Sequence, residues 1–187
     1  LIMNSRSTYL TGSFGGQEGK VLKTGDVLFS GINCGDDEFI KTSFSNGYDF
    51  IKPSDPLELR ILITNSVNKF SRESIALLWE STYTISSSSN RIGYRLNGPN
   101  INHISGADII SSGNEFGAIQ IPGDGQPIIL MADRGTTGGY SKIGSIITPD
   151  ISKLAQAGPN HKINFRPVSL NEAQEILFNR DKAIKSL

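Results

Sequence analysis

The chain has 187 residues, and its 18 basic side chains balance 18 acidic ones to a formal charge of zero. That length buries about two thirds of the unfolded surface, in one large domain or two small ones, and zero net charge supplies no long-range field to gather nucleic acid or anionic lipid. The single cysteine, Cys34, cannot form an internal disulfide and no Asn-x-Ser/Thr acceptor occurs, which together suit a reducing cytoplasm.

In chain order, the opening LIMNSRS lacks the charged head and apolar core of a signal peptide, and no later apolar run reaches the roughly 18 residues of a membrane span. Position 1 is not Met, so the sequence reads as open to being a fragment. Twenty glycines then punctuate short β-rich runs. Strands are expected at Val27–Ser30, Phe39–Thr42 and Leu57–Ile63, followed by a helix at Arg72–Glu80 capped by Ser71. Tyr83–Ser86 is the next strand, the serines from 86 to 89 make a solvated turn, and Ile92–Leu96 follows. In Ala118–Pro122 the apolar Ile119 and Ile121 flank Gln120, as in a strand with one face inside. A Pro-Gly-Asp-Gly turn leads to Ile128–Ala132, apolar throughout and so a central strand, which delivers Asp133 into the polar loop 134–140. Ser145–Thr148 and Lys162–Pro167 are strands, with a helix at Pro149–Ala157 between them. The last helix, Leu170 to about Lys185, carries a Ser169/Glu172 capping box and one apolar face, to pack on the body or dock on a partner. The pattern is all-β, mainly β with a few short helices, and favours a closed or nearly closed barrel.

Several chemistries fail on spacing. Gly19-Lys20 would need a glycine at position 14, which is Phe14, so the stretch from Gly12 to Lys20 is a glycine-rich turn and not a P-loop. Gly123 and Gly125 lack the third glycine of a dinucleotide fingerprint. His103 and His161 have no Cys, His or carboxylate at ligand spacing, so no metal site is expected. No Gly-x-Ser-x-Gly elbow occurs, and His161 sits in a turn that reads as exposed, although residue order alone does not exclude a serine triad. Carboxylate, hydroxyl and amide chemistry remains. Arg91 and Arg95 share a strand face, either as an anion clamp or as a solvent-facing pair. Asp133 is either a reactive carboxylate or a strand-end group capping its own glycine loop.

The string SNRIGYRLNGP, and about 18 residues later GAIQIPGDGQPIILMADRGTTGGYSKI, resembles the C-terminal half of the allophanate hydrolase subunit 2 family, which includes KipA, the 5-oxoprolinase C subunits and biotin-dependent carboxyltransferase subunits. The opening SRSTYLTGSFGGQEGKVLKTGDVLFSG resembles an earlier segment of the same family. The resemblance implies a cyclophilin-like β-barrel over residues 1–168 that lacks an N-terminal portion, with residues 169–187 as a terminal helix. It implies work with a subunit 1 (KipI-like) partner and a third lactam-utilisation subunit on a small amide or lactam. In this reading the complex uses ATP to open 5-oxoproline, and no cofactor is bound directly by this chain. The alternatives are a non-enzymatic KipA-like regulator that binds a KipI-like histidine-kinase inhibitor, and the carboxyltransferase component of a urea carboxylase.

Amide chemistry demands donors for a carbonyl or developing oxyanion and a carboxylate to orient or accept a proton. The expected set is Asp133 as the catalytic carboxylate, with Gln120, Asn90, Arg91, Thr136, Thr137, Tyr140 and the backbone of Gly138 and Gly139 around substrate. Departures from the family pattern occur at Thr64–Asn68, where members show Gly-Pro-Gln-x-Asp, and at the serines from 86 to 89, where members have Ser-Pro-Gln-Ser.

Overall fold

A computed structural model describes residues 1–29 and 56–185, so the expected strand Phe39–Thr42 and Cys34 lie outside the described residues. The chain divides into two compact units, residues 1–46 and 47–187.

In the first unit, β1 (Thr8–Tyr9) and β2 (Phe14–Gly15) form a small antiparallel hairpin, with the Tyr9 and Phe14 rings 5.2 Å apart. The false P-loop is therefore the hairpin turn and the bends after it. Gly19, at φ +67°, has Ser13 backbone atoms where a Cβ would stand, so a side chain is excluded there. The strand expected from Val27 does not form over the described part of that segment; Val27, Leu28 and Phe29 are exposed.

The second unit runs β3 (Leu57–Ile63), a 3-10 turn (Asn65–Lys69), α1 (Arg72–Glu80), β4 (Tyr83–Ile85), β5 (Gly93–Asn97), β6 (Asp108–Gly113), β7 (Ala118–Gln120), β8 (Ile128–Leu130), β9 (Thr137–Tyr140), β10 (Lys142–Ile146), α2 (Thr148–Gln156), β11 (Lys162–Pro167) and α3 (Leu170–Lys185). Seven strands close a barrel in the order β10-β3-β11-β4-β5-β8-β7, and β7 returns to β10. Every pair is antiparallel except β3 with β11, where Ile163 stands opposite Leu57.

Alternation drives closure. In β3 the residues Leu57, Leu59 and Ile61 are buried, and β11 buries Ile163 and Phe165 in the same way. These meet Tyr83, Ile85, Leu96, Ile119, Ile129 and Ile143 in one core. Each such aliphatic side chain contributes roughly 1.5–3 kcal/mol on burial. Ser71 caps α1 by accepting from the Ser74 N–H at 3.1 Å, and the Ser74 hydroxyl accepts from the Asn102 N–H at 2.9 Å, which ties the helix to the segment before β6. α2 is anchored by Asp150 in its first turn. That carboxylate is fully buried and accepts from the Arg60 guanidinium at 2.6 and 2.8 Å and from the Arg60 backbone N–H at 3.0 Å.

Two expectations change in the structure. Of the apolar stripe on α3 only Ala173 is buried; Ile176 and Leu177 are half-buried and Leu170 stands 60% exposed, with Phe178 beside the stripe 68% exposed. The loop 134–140 is also more ordered in pattern than expected, since Thr137–Tyr140 is strand β9, paired with β6 in a two-stranded sheet of its own. Among the described residues, no helix is long and apolar enough to cross a membrane.

Candidate functional site

Two of the expected site residues meet at one edge of the barrel. Arg91 precedes β5 and Asp133 follows β8, and the antiparallel pairing of those strands sets Gly93 opposite Leu130. The pairing continues past the strand ends, where the Asp133 N–H donates to the Arg91 carbonyl at 2.8 Å. The side chains then form a two-pronged ion pair, Arg91 Nε to Asp133 Oδ2 at 2.8 Å and Nη2 to Oδ1 at 3.0 Å. The hydrogen bonds from Arg91 hold the Asp133 carboxyl below its ordinary value, so at neutral pH it is an ionised acceptor and a weak base. Asn90 accepts the Ile92 N–H at 2.8 Å through Oδ1, an Asx turn that fixes the approach to β5. Behind it the Ser89 hydroxyl receives the Arg95 N–H at 3.0 Å, so the serine turn braces the strand.

Beside this pair lies a cleft of about 330 Å³, with Ser89, Asn90 and Arg91 at its polar edge and Tyr94, Phe116, Met131 and Ala132 among its apolar walls. Phe116 is held in place by Arg134, whose guanidinium carbon lies 5.4 Å from the ring centroid and whose Nε donates to the Asn114 carbonyl at 3.0 Å.

Gln120 belongs to a different cluster. β10 carries a bulge between Lys142 and Gly144 where it pairs with β7. Without the extra residue, Lys142 and Ser145 would point to opposite faces; with it, both reach Glu115 while Ile143 and Ile146 stay buried. Lys142 thereby stands across from Gln120. Its ammonium donates to the Gly113 carbonyl, to Ser112 Oγ at 3.2 Å, and pairs with Glu115 Oε2 at 3.7 Å. Glu115 accepts from the Ser145 hydroxyl at 2.6 Å. Burial pushes the Glu115 carboxyl up, but the Ser145 hydroxyl, its own backbone amide and Lys142 together hold it below the ordinary value. Gln120 Nε2 donates to Asn114 Oδ1 at 3.2 Å, and a Cβ at Gly138 would stand 2.7 Å from that nitrogen. Gln120 and Lys142 are buried in this network, and the Lys142 ammonium is engaged by Gly113, Ser112 and Glu115.

Thr136 and Thr137 are exposed; Asn114 donates its N–H to the Thr136 carbonyl, and Thr137 pairs with Gly113. Gly138 and Gly139 lie inside β9, not in a free loop, and Tyr140 is 42% exposed at its end. The structure thus places Asn90 and Arg91 at the cleft, with Asp133 held to Arg91 but not lining it, and brings Gln120 and Gly138 together in the packed network. Lys142 and Glu115 are the polar residues that sequence reasoning missed. A serine–histidine pair also exists, Ser141 Oγ 2.9 Å from His103 Nε2, but Ser141 is fully buried and out of reach of a substrate. Burial also pushes the His103 imidazole below its usual value. His161 is partly buried rather than exposed, because the Gly158 N–H donates to its Nδ1 at 2.9 Å.

The fold is that of a closed, mixed β-barrel domain, and the model of the family "carboxyltransferase domain, subdomain A and B" matches residues 1–167. The chain belongs to that family. It is 37% identical to 5-oxoprolinase C subunits of two bacteria. With that of Haemophilus influenzae the 37% identity covers 93% of this chain and 54% of that protein. With that of Escherichia coli it covers 92% of this chain and 53% of that one. The chain therefore spans about half the length of these curated relatives. Among solved structures, Kluyveromyces lactis urea carboxylase superposes with a TM-score of 0.71 at 26% identity, over 98% of this chain and 18% of that one.

Proposed function

We propose that this chain is part of an ATP-dependent amide or lactam hydrolase of the 5-oxoprolinase type, which opens 5-oxoproline to glutamate in complex with other subunits. The observation that supports it most is the likeness to two 5-oxoprolinase C subunits over more than nine tenths of this chain. Its partners are a subunit 1 (KipI-like) protein and a third lactam-utilisation subunit, and ATP is consumed by the complex. Asp133 acts as an orienting carboxylate rather than as a base, because Arg91 keeps it ionised and weakly basic. The complex works in the cytoplasm.

The test is ATP hydrolysis by the full-length protein mixed with its partner subunits, with and without 5-oxoproline. Stimulation by 5-oxoproline is expected. Complex formation without stimulation would discard this reading in favour of a KipA-like regulator. A second reading, transfer of a carboxyl group from carboxybiotin to urea, is favoured by the urea carboxylase superposition; urea-dependent consumption of carboxybiotin would select it.

A further inference from the structure

We infer that Asn97-Gly98, at the end of β5, is a latent modification site of the barrel, where the Asn97 side-chain amide converts to a carboxylate, and that Gln126 holds the site closed. The sequence has two Asn-Gly pairs, Asn46-Gly47 and Asn97-Gly98, and the first lies outside the described residues. In such a pair the glycine nitrogen attacks the asparagine Cγ. The new N–Cγ bond closes a five-membered succinimide, the Cγ–Nδ2 bond breaks, and Nδ2 leaves as ammonia with the proton that the glycine nitrogen gives up. Water then opens the ring at either carbonyl, to aspartate or to its β-linked isomer. Glycine favours the attack because no Cβ shields its nitrogen.

The fold imposes this pair. A Cβ at position 98 would stand 2.4 Å from Cδ1 of the fully buried Tyr83, so a side chain is excluded there. Asn97 is exposed, which leaves its amide open to water. Two features oppose the attack. Asn97 pairs with Thr84 across β4 and β5 and is kept extended, whereas ring closure needs its ψ to turn until the Gly98 nitrogen swings toward Cγ. Gln126 also takes both backbone groups of Gly98: Oε1 accepts the N–H at 3.0 Å, and Nε2 donates to the C=O at 2.9 Å. The same Nε2 donates to Asn100 Oδ1, so all the donors of the Gln126 amide are engaged. The Gln126 backbone is fixed in turn, its N–H on Asp124 Oδ1 at 3.0 Å. While this clasp holds, the Gly98 nitrogen neither gives up its proton nor rotates. Conversion to the β-linked isomer is one-way, because it adds a methylene to the backbone just ahead of a glycine held between Tyr83 and Gln126.

The experiment incubates the full-length protein in mildly alkaline buffer and follows Asn97 by peptide mapping with mass detection, taking the same protein unfolded in urea as the reference. Asn97 should convert about tenfold or more slowly in the folded protein, because each conversion waits for a local opening. Gln126→Met keeps the length of the side chain and removes both hydrogen bonds to Gly98, so it should speed conversion about fivefold or more in a variant that still folds. Should that variant not fold, the unaltered protein decides. Exchange of the Gly98 N–H needs the same opening as conversion of Asn97, so urea added below the unfolding transition should raise the two rates in proportion. Conversion as fast in the folded protein as in the unfolded one, conversion unchanged in a folded Gln126→Met protein, or conversion that rises in urea without faster Gly98 exchange would each overturn the inference.

Discussion

The barrel holds two Arg–Asp pairs of nearly the same geometry in opposite surroundings. Arg60–Asp150 has side chains only 18% and 0% exposed, whereas Arg91 and Asp133 are 77% and 50% exposed. In the first pair the carboxylate is fully committed, since Asp150 also takes the Arg60 backbone N–H and lies 3.5 Å from Lys153. In the second, lone pairs and N–H groups are left over. The same chemistry is thus a structural tie where solvent is excluded, whereas the exposed pair keeps donors and acceptors open to solvent and contributes little to stability.

The largest expected effect follows from breaking the buried pair. Asp150→Ala should cost about 3–5 kcal/mol, read by chemical denaturation, because it strands the Arg60 guanidinium in the interior. The pair also sets an acid limit. Burial pushes the Asp150 carboxyl up, but the hydrogen bonds and charge of Arg60 outweigh it and hold the group below its ordinary value. A lowered folded value means that the contribution is complete above the unfolded value of about 4 and is lost as pH falls through the folded one. Asp150→Asn should therefore flatten the acid limb of a stability–pH curve below about pH 4; an unchanged limb would assign acid sensitivity elsewhere.

At the exposed pair the signs reverse. Asp133→Asn should leave the melting temperature where it is and reduce coupled turnover of the complex about 100-fold through lost positioning, with the complex intact by gel filtration. Unchanged turnover would remove Asp133 from the site. A smaller effect is expected at the packed network, where Lys142→Met leaves the Gly113 carbonyl and Ser112 hydroxyl without their donor and should cost about 1–3 kcal/mol. Hydrogen exchange should show the loss in β6 and β9 before the barrel strands. Smallest of all, a double-mutant cycle on Arg91 and Asp133 should show no measurable coupling in stability in about 0.5 M salt, where exposed charges are screened.

Legibility in the sequence tracks how locally each feature is determined. Leu57–Ile63 and Lys162–Pro167 form at their expected bounds because strict alternation suffices to specify a strand with one face inside. β6 and β9 were not visible, since Asp-Ile-Ile-Ser-Ser-Gly and Thr-Gly-Gly-Tyr alternate weakly and are strands only by pairing with each other. Arg91 and Asp133 could each be named as polar residues at strand ends, but their contact spans 42 positions and depends on the β5–β8 register. Lys142 and Glu115 are not legible in the sequence because such side chains are ordinarily solvated, and the bulge that sets Lys142 across from Gln120 leaves no mark in composition.

The parallel pairing of β3 with β11 governs when the molecule can exist at all. β11 sits between β3 and β4, so the ring of strands has a gap until residues 162–167 have been synthesised, about 100 residues after β3 emerges. Until then Leu57, Leu59 and Ile61 lack one flanking strand, and closing so long a loop makes the step slow. Barrel closure is therefore a late event of biosynthesis, and a chain stalled before Lys162 presents to the cell an open sheet with two unpaired edges, a substrate for chaperones rather than for assembly.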